Sequence, residues 1–218
     1  MTEMDRAASA EDRSRFFWWL AEWFLNPPSP EQLATLPSPA DAPPPEDAMD
    51  RAWLGLALAK PDPATVSPEE IGGEFTRLLG GIQECLGPPP PFEAVWREER
   101  LMGETTLAVI EAYARAGFAD IQPEAGPQDH LAVELKFLAL LALREAEAWR
   151  AGDPSATRSR MTQQREFLEA HLAAWAPRWA DTLIRETRVP LFAALAGLVK
   201  AGLEQAAFEL AETARTRS

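Results

Sequence analysis

The sequence predicts an all-α protein, a helical bundle of roughly nine to ten helices in two halves joined by a hinge loop. Three observations predict it. Apolar residues recur at helical spacing along most of the chain, no stretch sustains an alternation of β-branched residues, and no Asn-Gly or Asp-Gly hairpin turn occurs. With 218 residues, 46% of them hydrophobic, the chain is long enough to bury a real core.

The elements follow in order. Phe16, Phe17, Leu20, Trp23 and Phe24 share one helical face behind the charged run Glu11, Asp12, Arg13 and Arg15, and Asn26-Pro27-Pro28 ends that helix. Ser29-Pro30-Glu31-Gln32 supplies an N-cap, a proline at the first helical position and a residue for a capping box, opening a short helix that closes near Leu36. Prolines then force an extended linker over 37–45. A third helix is expected over 46–59, with Met49, Trp53, Leu56 and Leu58 on it, closed by Pro61 and Pro63. Ser67-Pro68-Glu69-Glu70 repeats the capping-box logic for a helix through Ile71, Phe75, Leu78 and Leu79. Gly72-Gly73 weakens that helix by roughly 1 kcal/mol per glycine, and Gly80-Gly81 ends it.

A proline-rich loop over 85–91 precedes one long helix expected over 92–116, with Gly117 as its C′ residue. Residues 120–127 are punctuated by Pro and Gly and form the expected seam between an N-terminal half, 1–126, and a C-terminal half, 127–218. The second half opens with a helix over 129–150 capped by Asp129. Asp153-Pro154 caps the next, which reaches Trp175, and Pro177 and Pro190 delimit two more.

Composition narrows the function. The formal charge of −13 argues against nucleic acid, whose phosphates need clustered Lys and Arg, and favours a basic partner. Cys85 is the single cysteine, so the sequence holds no intramolecular disulfide and no thiolate-rich metal site, in keeping with a reducing compartment. The acidic N-terminus reads as no export signal. The apolar segments 131–143 and 191–203 carry charges and fall short of the roughly 20 residues that a bilayer span needs. No membrane span is expected.

Catalytic chemistry finds few residues. His130 and Glu134 share a helical face at i, i+4, but two ligands do not make a metal site and the other histidine, His171, lies on a different helix. No nucleophile elbow, Walker A loop or dinucleotide fingerprint is present. The expectation is no enzyme, no metal and no cofactor. Recognition is the better reading of Pro127-Gln128-Asp129-His130. There the helix dipole favours a neutral imidazole able to donate and accept, and a free Asp129 oxygen can accept from an arginine fork. Most of the eight tryptophans are expected in the core, whereas Phe92 and Trp96, after the proline loop, are expected at a partly exposed apolar surface.

Four segments in order resemble one family. Glu74-Phe75-Thr76-Arg77-Leu78-Leu79-Gly80-Gly81, Pro90-Pro91-Phe92-Glu93-Ala94-Val95-Trp96, Leu101-Met102-Gly103-Glu104 and Pro127-Gln128-Asp129-His130 look like the signature of the TorD/DmsD/NarJ redox-enzyme maturation chaperones. The segment Phe167-Leu168-Glu169-Ala170-His171-Leu172 through Trp175, and then Pro190-Leu191-Phe192, extend the likeness over nearly the whole chain.

The resemblance implies a cytoplasmic chaperone without catalytic activity. Its partner is the apo catalytic subunit of a molybdopterin-dependent oxidoreductase and that subunit's twin-arginine leader, held until the cofactor is inserted. By the same resemblance the leader-binding positions are Phe75, Leu78, Leu79, Pro91, Phe92, Pro127, Asp129 and His130, supported by Glu74, Arg77, Glu93 and Trp96. Ile82 stands where the family usually has proline, Leu79 replaces a common aromatic, and 83–89 is longer and richer in proline than usual. These departures fit a different client, including one whose leader is vestigial. The alternative is a generic helical adaptor that binds an amphipathic partner helix. A monomer is expected, with exchange of halves between chains open at the hinge.

Overall fold

A computed structural model describes residues 2–41, 44–81, 87–118 and 127–215. The expected loop cysteine, Cys85, and residues 120–126 of the expected hinge lie outside them. Every regular element among the described residues is helical: α1 Glu3–Glu22, α2 Pro30–Ala34, α3 Ala48–Leu58, α4 Pro68–Leu79, α5 Glu93–Glu98, α6 Glu104–Arg115, α7 Leu131–Arg150, α8 Pro154–Phe167, α9 Ala173–Glu186 and α10 Pro190–Arg215. A 3-10 turn covers Pro39–Asp41, and a π-helical stretch, Leu168–Leu172, joins α8 to α9. The only extended pairing among the described residues is an isolated antiparallel bridge between Phe92 and His130. The fold is all-α.

Packing groups the chain into two units, each drawn from separate stretches of sequence. One comprises 1–22, 92–175 and 203–218; the other comprises 23–91 and 176–202.

In the first unit α1 packs chiefly on α7, and α7 on α8. A buried polar network ties four helices together. Arg13 of α1 meets Glu145 of α7 at 2.5 Å, Gln164 of α8 at 3.2 Å and Glu209 of α10 at 2.6 Å. Gln164 and the Trp149 indole both donate to Glu145, so neither carboxylate oxygen is left unmatched. Four of the eight tryptophans, Trp23, Trp149, Trp175 and Trp179, are buried, fewer than the majority expected; Trp19, Trp53 and Trp96 are half-buried, and Trp18 is exposed and carries the Lys136 ammonium over its ring.

The second unit contains α2, α3 and α4. Ser29 and Ser67 cap α2 and α4 as the sequence predicts, and the full capping box forms between Ser67 and Glu70. That box and the buried face through Ile71, Phe75 and Leu78 outweigh the two glycines inside α4.

Three elements differ from expectation. The single helix over 92–116 is two, because Glu99 and Met102 adopt φ of 58° and 56° and end α5 before Gly103 starts α6. Gly103 offers no side-chain cap; the Glu98 carboxylate takes the role instead, accepting from the amides of Glu104 and Thr105. Bonds from Thr105 and Arg100 hold its acid down at a pKa of about 2. A Cβ on Gly103 would strike that carboxylate.

Pro177 lies inside α9 rather than before it. Its ring denies the preceding turn one amide, and the π-helical turn just upstream is where the ladder accommodates the change in register. Finally, α10 is longer than its apolar run suggests. Residues Pro190–Thr213 are long and apolar enough, by length and composition, to cross a bilayer, which corrects the shorter estimate; 56% of the most apolar window is buried inside the protein.

Candidate functional site

The start of α5 is capped from a distant part of the chain. Phe92, its N-cap residue, is extended and supplies no side-chain acceptor. Asp129 supplies two: its carbonyl accepts from the Glu93 amide at 2.8 Å and its Oδ2 from the Ala94 amide at 2.9 Å. The Tyr113 hydroxyl fixes the same turn by donating to the Gln128 carbonyl at 2.9 Å. With its carboxylate turned toward α5, Asp129 does not cap α7. His130 does, through Nδ1 accepting from the Ala132 amide at 3.2 Å, which corrects the predicted cap by one residue.

That bond leaves the neutral imidazole proton on Nε2. Burial holds the His130 pKa down at about 4, so the ring is neutral near pH 7; desolvation, rather than the helix dipole, is the cause. The Phe92 and His130 rings meet edge to face with centroids 5.0 Å apart, and both residues are half-buried. Pro127 and Trp96 are also half-buried.

Beneath this turn lies an acidic cluster that sequence inspection missed. Glu93, Asp129 and Glu134 are each 0% exposed. Glu93 joins Arg97 at 2.5 Å and His171 Nδ1 at 2.9 Å. Glu134 accepts from the Trp175 indole at 3.3 Å through Oε2. Asp129 Oδ1 and Glu134 Oε1 are buried with no hydrogen-bond partner. Burial first, then the charges of Glu93 and Asp129, push the Glu134 acid well above the ordinary carboxylate range; burial, then Glu134, Asp129 and Glu93, raise the Tyr113 phenol. Among the described residues no group of acids, histidines and cysteines has the arrangement of a metal site.

The remaining predicted positions belong to the second unit. Phe75, Leu78 and Leu79 are 8%, 0% and 6% exposed, and Phe75 meets Phe192 at 6.4 Å. Glu74 and Arg77 pair with each other and clamp the α9–α10 turn. Glu74 accepts from the Arg188 amide at 2.6 Å, and Arg77 donates to the Glu186 carbonyl at 2.6 Å. Burial works against the Glu74 carboxylate, yet the bonds from Arg77 and Arg188 keep its pKa below the usual value. Pro91, also buried, ends the first segment of this unit, next to Phe92 in the chain.

A cavity of about 240 Å³ opens in the first unit, floored by Phe137, Phe167 and His171 and rimmed by Arg115, Gln163 and Glu166. The π-helical turn places His171 between this cavity and Glu93. Glu93 in the Pro90–Trp96 motif and a histidine in the Phe167–Leu172 motif were the available signals. Nothing in a 78-residue separation says that they pair.

Comparison with known proteins gives a consistent set of likenesses. A family model described as nitrate reductase delta subunit matches residues 43–181. The chaperone protein TorD of Vibrio cholerae serotype O1 is 25% identical over 207 residues, 89% of this chain and 90% of that protein. The Tat proofreading chaperone DmsD of Salmonella typhi is 32% identical over 143 residues, 65% of this chain and 62% of its own length. A crystal structure described as a redox enzyme maturation protein from Archaeoglobus fulgidus shares the fold, with a TM-score of 0.51 at 18% identity over 88% of this chain and 93% of that one.

Proposed function

This chain belongs to the nitrate reductase delta subunit family, whose members here are chaperones and not enzymes, and on that premise we propose that it serves one molybdopterin-dependent oxidoreductase. It holds the apo catalytic subunit, and the twin-arginine leader of that subunit, in the cytoplasm while the cofactor is inserted. The observation that carries the leader reading is the junction of Phe92, Asp129 and His130. Two half-buried rings meet edge to face at a turn whose buried Asp129 carboxylate has one oxygen unpartnered, in a protein of net charge −13. A basic, partly apolar peptide is the complementary ligand.

Phe92 and His130 are the informative positions, because Asp129 is also a structural cap. The test is titration of a synthetic peptide, two adjacent arginines followed by an apolar stretch, while tryptophan fluorescence is followed. Phe92→Ala and His130→Ala are expected to weaken binding at least about tenfold, the scale of losing one well-buried contact. Equal binding by wild type and both variants would sink the assignment. Capture of a molybdoenzyme subunit from anaerobically grown cells tests the client; a captured set without one favours the adaptor.

A further inference from the structure

The cavity beside the π-helical turn, about 240 Å³ and lined wholly by the first unit, has no part in the leader reading. Its floor is aromatic. The Phe167 and His171 rings lie 4.8 Å apart between centroids with their planes 30° from parallel, and Phe137 meets Phe167 edge to face at 4.7 Å. Ala112 and Ala116 add only one side-chain carbon each to the wall.

His171 is held at this floor from the side away from the cavity. A π-helical turn departs from the regular ladder and recurs at functional sites. Here α5 secures it with two bonds, since Arg97 donates to the Ala170 carbonyl at 3.0 Å and to Glu93 at 2.5 Å, and Glu93 meets His171 Nδ1 at 2.9 Å. A carboxylate in that place takes the Nδ1 proton, so the neutral imidazole carries its lone pair on Nε2, at the opposite edge of the ring. That edge borders the cavity, and among the described residues nothing donates to it. The side chain is only 6% exposed, so Nε2 is an acceptor built into an aromatic-floored space rather than a surface group.

We propose that this cavity binds a small uncharged aromatic molecule of the phenol class, its hydroxyl donating to His171 Nε2 and its ring lying against Phe137 and Phe167. Size sets the first limit: a cavity of about 150 Å³ accommodates benzene, so this one admits a single ring with small substituents. Charge sets the second. Arg115 and Glu166 stand at the rim with opposite signs, so the mouth selects neither an anion nor a cation. The free lone pair sets the third, because a ring that brings no donor leaves a buried acceptor unmatched. The hydroxyl can belong to a free phenol or to a partner's tyrosine. The proposal does not depend on the leader reading.

Calorimetry of the full chain with p-cresol and with toluene tests it. p-Cresol is expected to bind about tenfold more tightly, the discrimination that one buried hydrogen bond supplies. In NMR its binding should shift the ring signals of His171 more than those of His130, the only other histidine. Ala112→Leu, which fills the cavity from a half-buried position, is expected to weaken p-cresol at least about tenfold. His171→Phe keeps a ring and removes the acceptor, and is expected to bring p-cresol and toluene to equal affinity. Circular dichroism and thermal melting check the fold of both variants, and Ala112→Leu carries the test where His171→Phe does not fold. N-acetyltyrosinamide separates the sources: affinity equal to that of p-cresol assigns a partner's tyrosine, and p-cresol binding alone assigns a free small molecule.

Equal binding of p-cresol and toluene by wild type overturns the assignment of Nε2 as the acceptor. Undiminished p-cresol binding by folded Ala112→Leu places the ligand elsewhere and overturns the cavity. No binding of p-cresol up to about 10 mM, the weakest range of specific affinity, overturns the whole proposal. Each of these leaves the leader reading standing.

Discussion

Asp129 shows how a motif residue can be visible in the sequence while its work is not. Its position beside His130 suggested a local helix cap, but both its carbonyl and its carboxylate close the start of α5, 35 residues earlier for the carboxylate bond. Asp129→Ala is expected to cost about 1–2 kcal/mol in urea denaturation, the loss of an N-cap acceptor, and Asp129→Asn distinctly less because an acceptor oxygen remains. Glu134 makes a second prediction at this scale. Its acid is raised in the folded state, so the folded protein binds a proton that the unfolded chain releases above its ordinary carboxyl pKa. Stability from this group therefore falls as pH rises from that value toward the raised one. Glu134→Gln should flatten that decline and melt at or above the wild-type temperature at pH 8. A lower melting temperature for the variant at pH 8, with an unchanged slope, would remove Glu134 as the source.

At the level of elements, capping chemistry was readable wherever it is local. Ser29, Ser67 and Asp153 accept from amides two or three residues on, and Gly117 and Gly152 take the positive φ that ends α6 and α7. The break after α5 was not readable, since it depends on Glu99 and Met102 entering the left-handed region without being glycines. The Leu101-Met102-Gly103-Glu104 motif is that break. Gly81 is a case where the residue type is required twice over: its φ is +59°, and a Cβ would lie 2.9 Å from Pro90 Cγ. Gly81→Ala should destabilise the protein by about 1–2 kcal/mol from the backbone alone, with more from the clash; an unchanged denaturation midpoint would contradict it.

For the whole molecule, the buried Arg13 network is the feature on which the first unit most depends, because it crosses α1, α7, α8 and α10. Arg13→Met leaves Glu145 buried with its charge uncompensated and is expected to cost about 3–5 kcal/mol by thermal or chemical denaturation. Adding Glu145→Gln should restore part of that loss; strict additivity would mean that the two do not act as a pair. By itself the sequence determined the all-α class, most helix ends and the family, because helical periodicity, prolines, glycines and local caps act over a few residues. Phe92, Asp129 and His130 could likewise be named from their motifs. What only the tertiary structure decided is which residues meet: Asp129 with α5, Glu93 with His171, Glu134 with Trp175, and the burial of Phe75, Leu78 and Leu79. The reason is that desolvation and long-range pairing depend on three-dimensional neighbours, so a lone Glu on an apolar helix reads as a surface charge until its helix is packed.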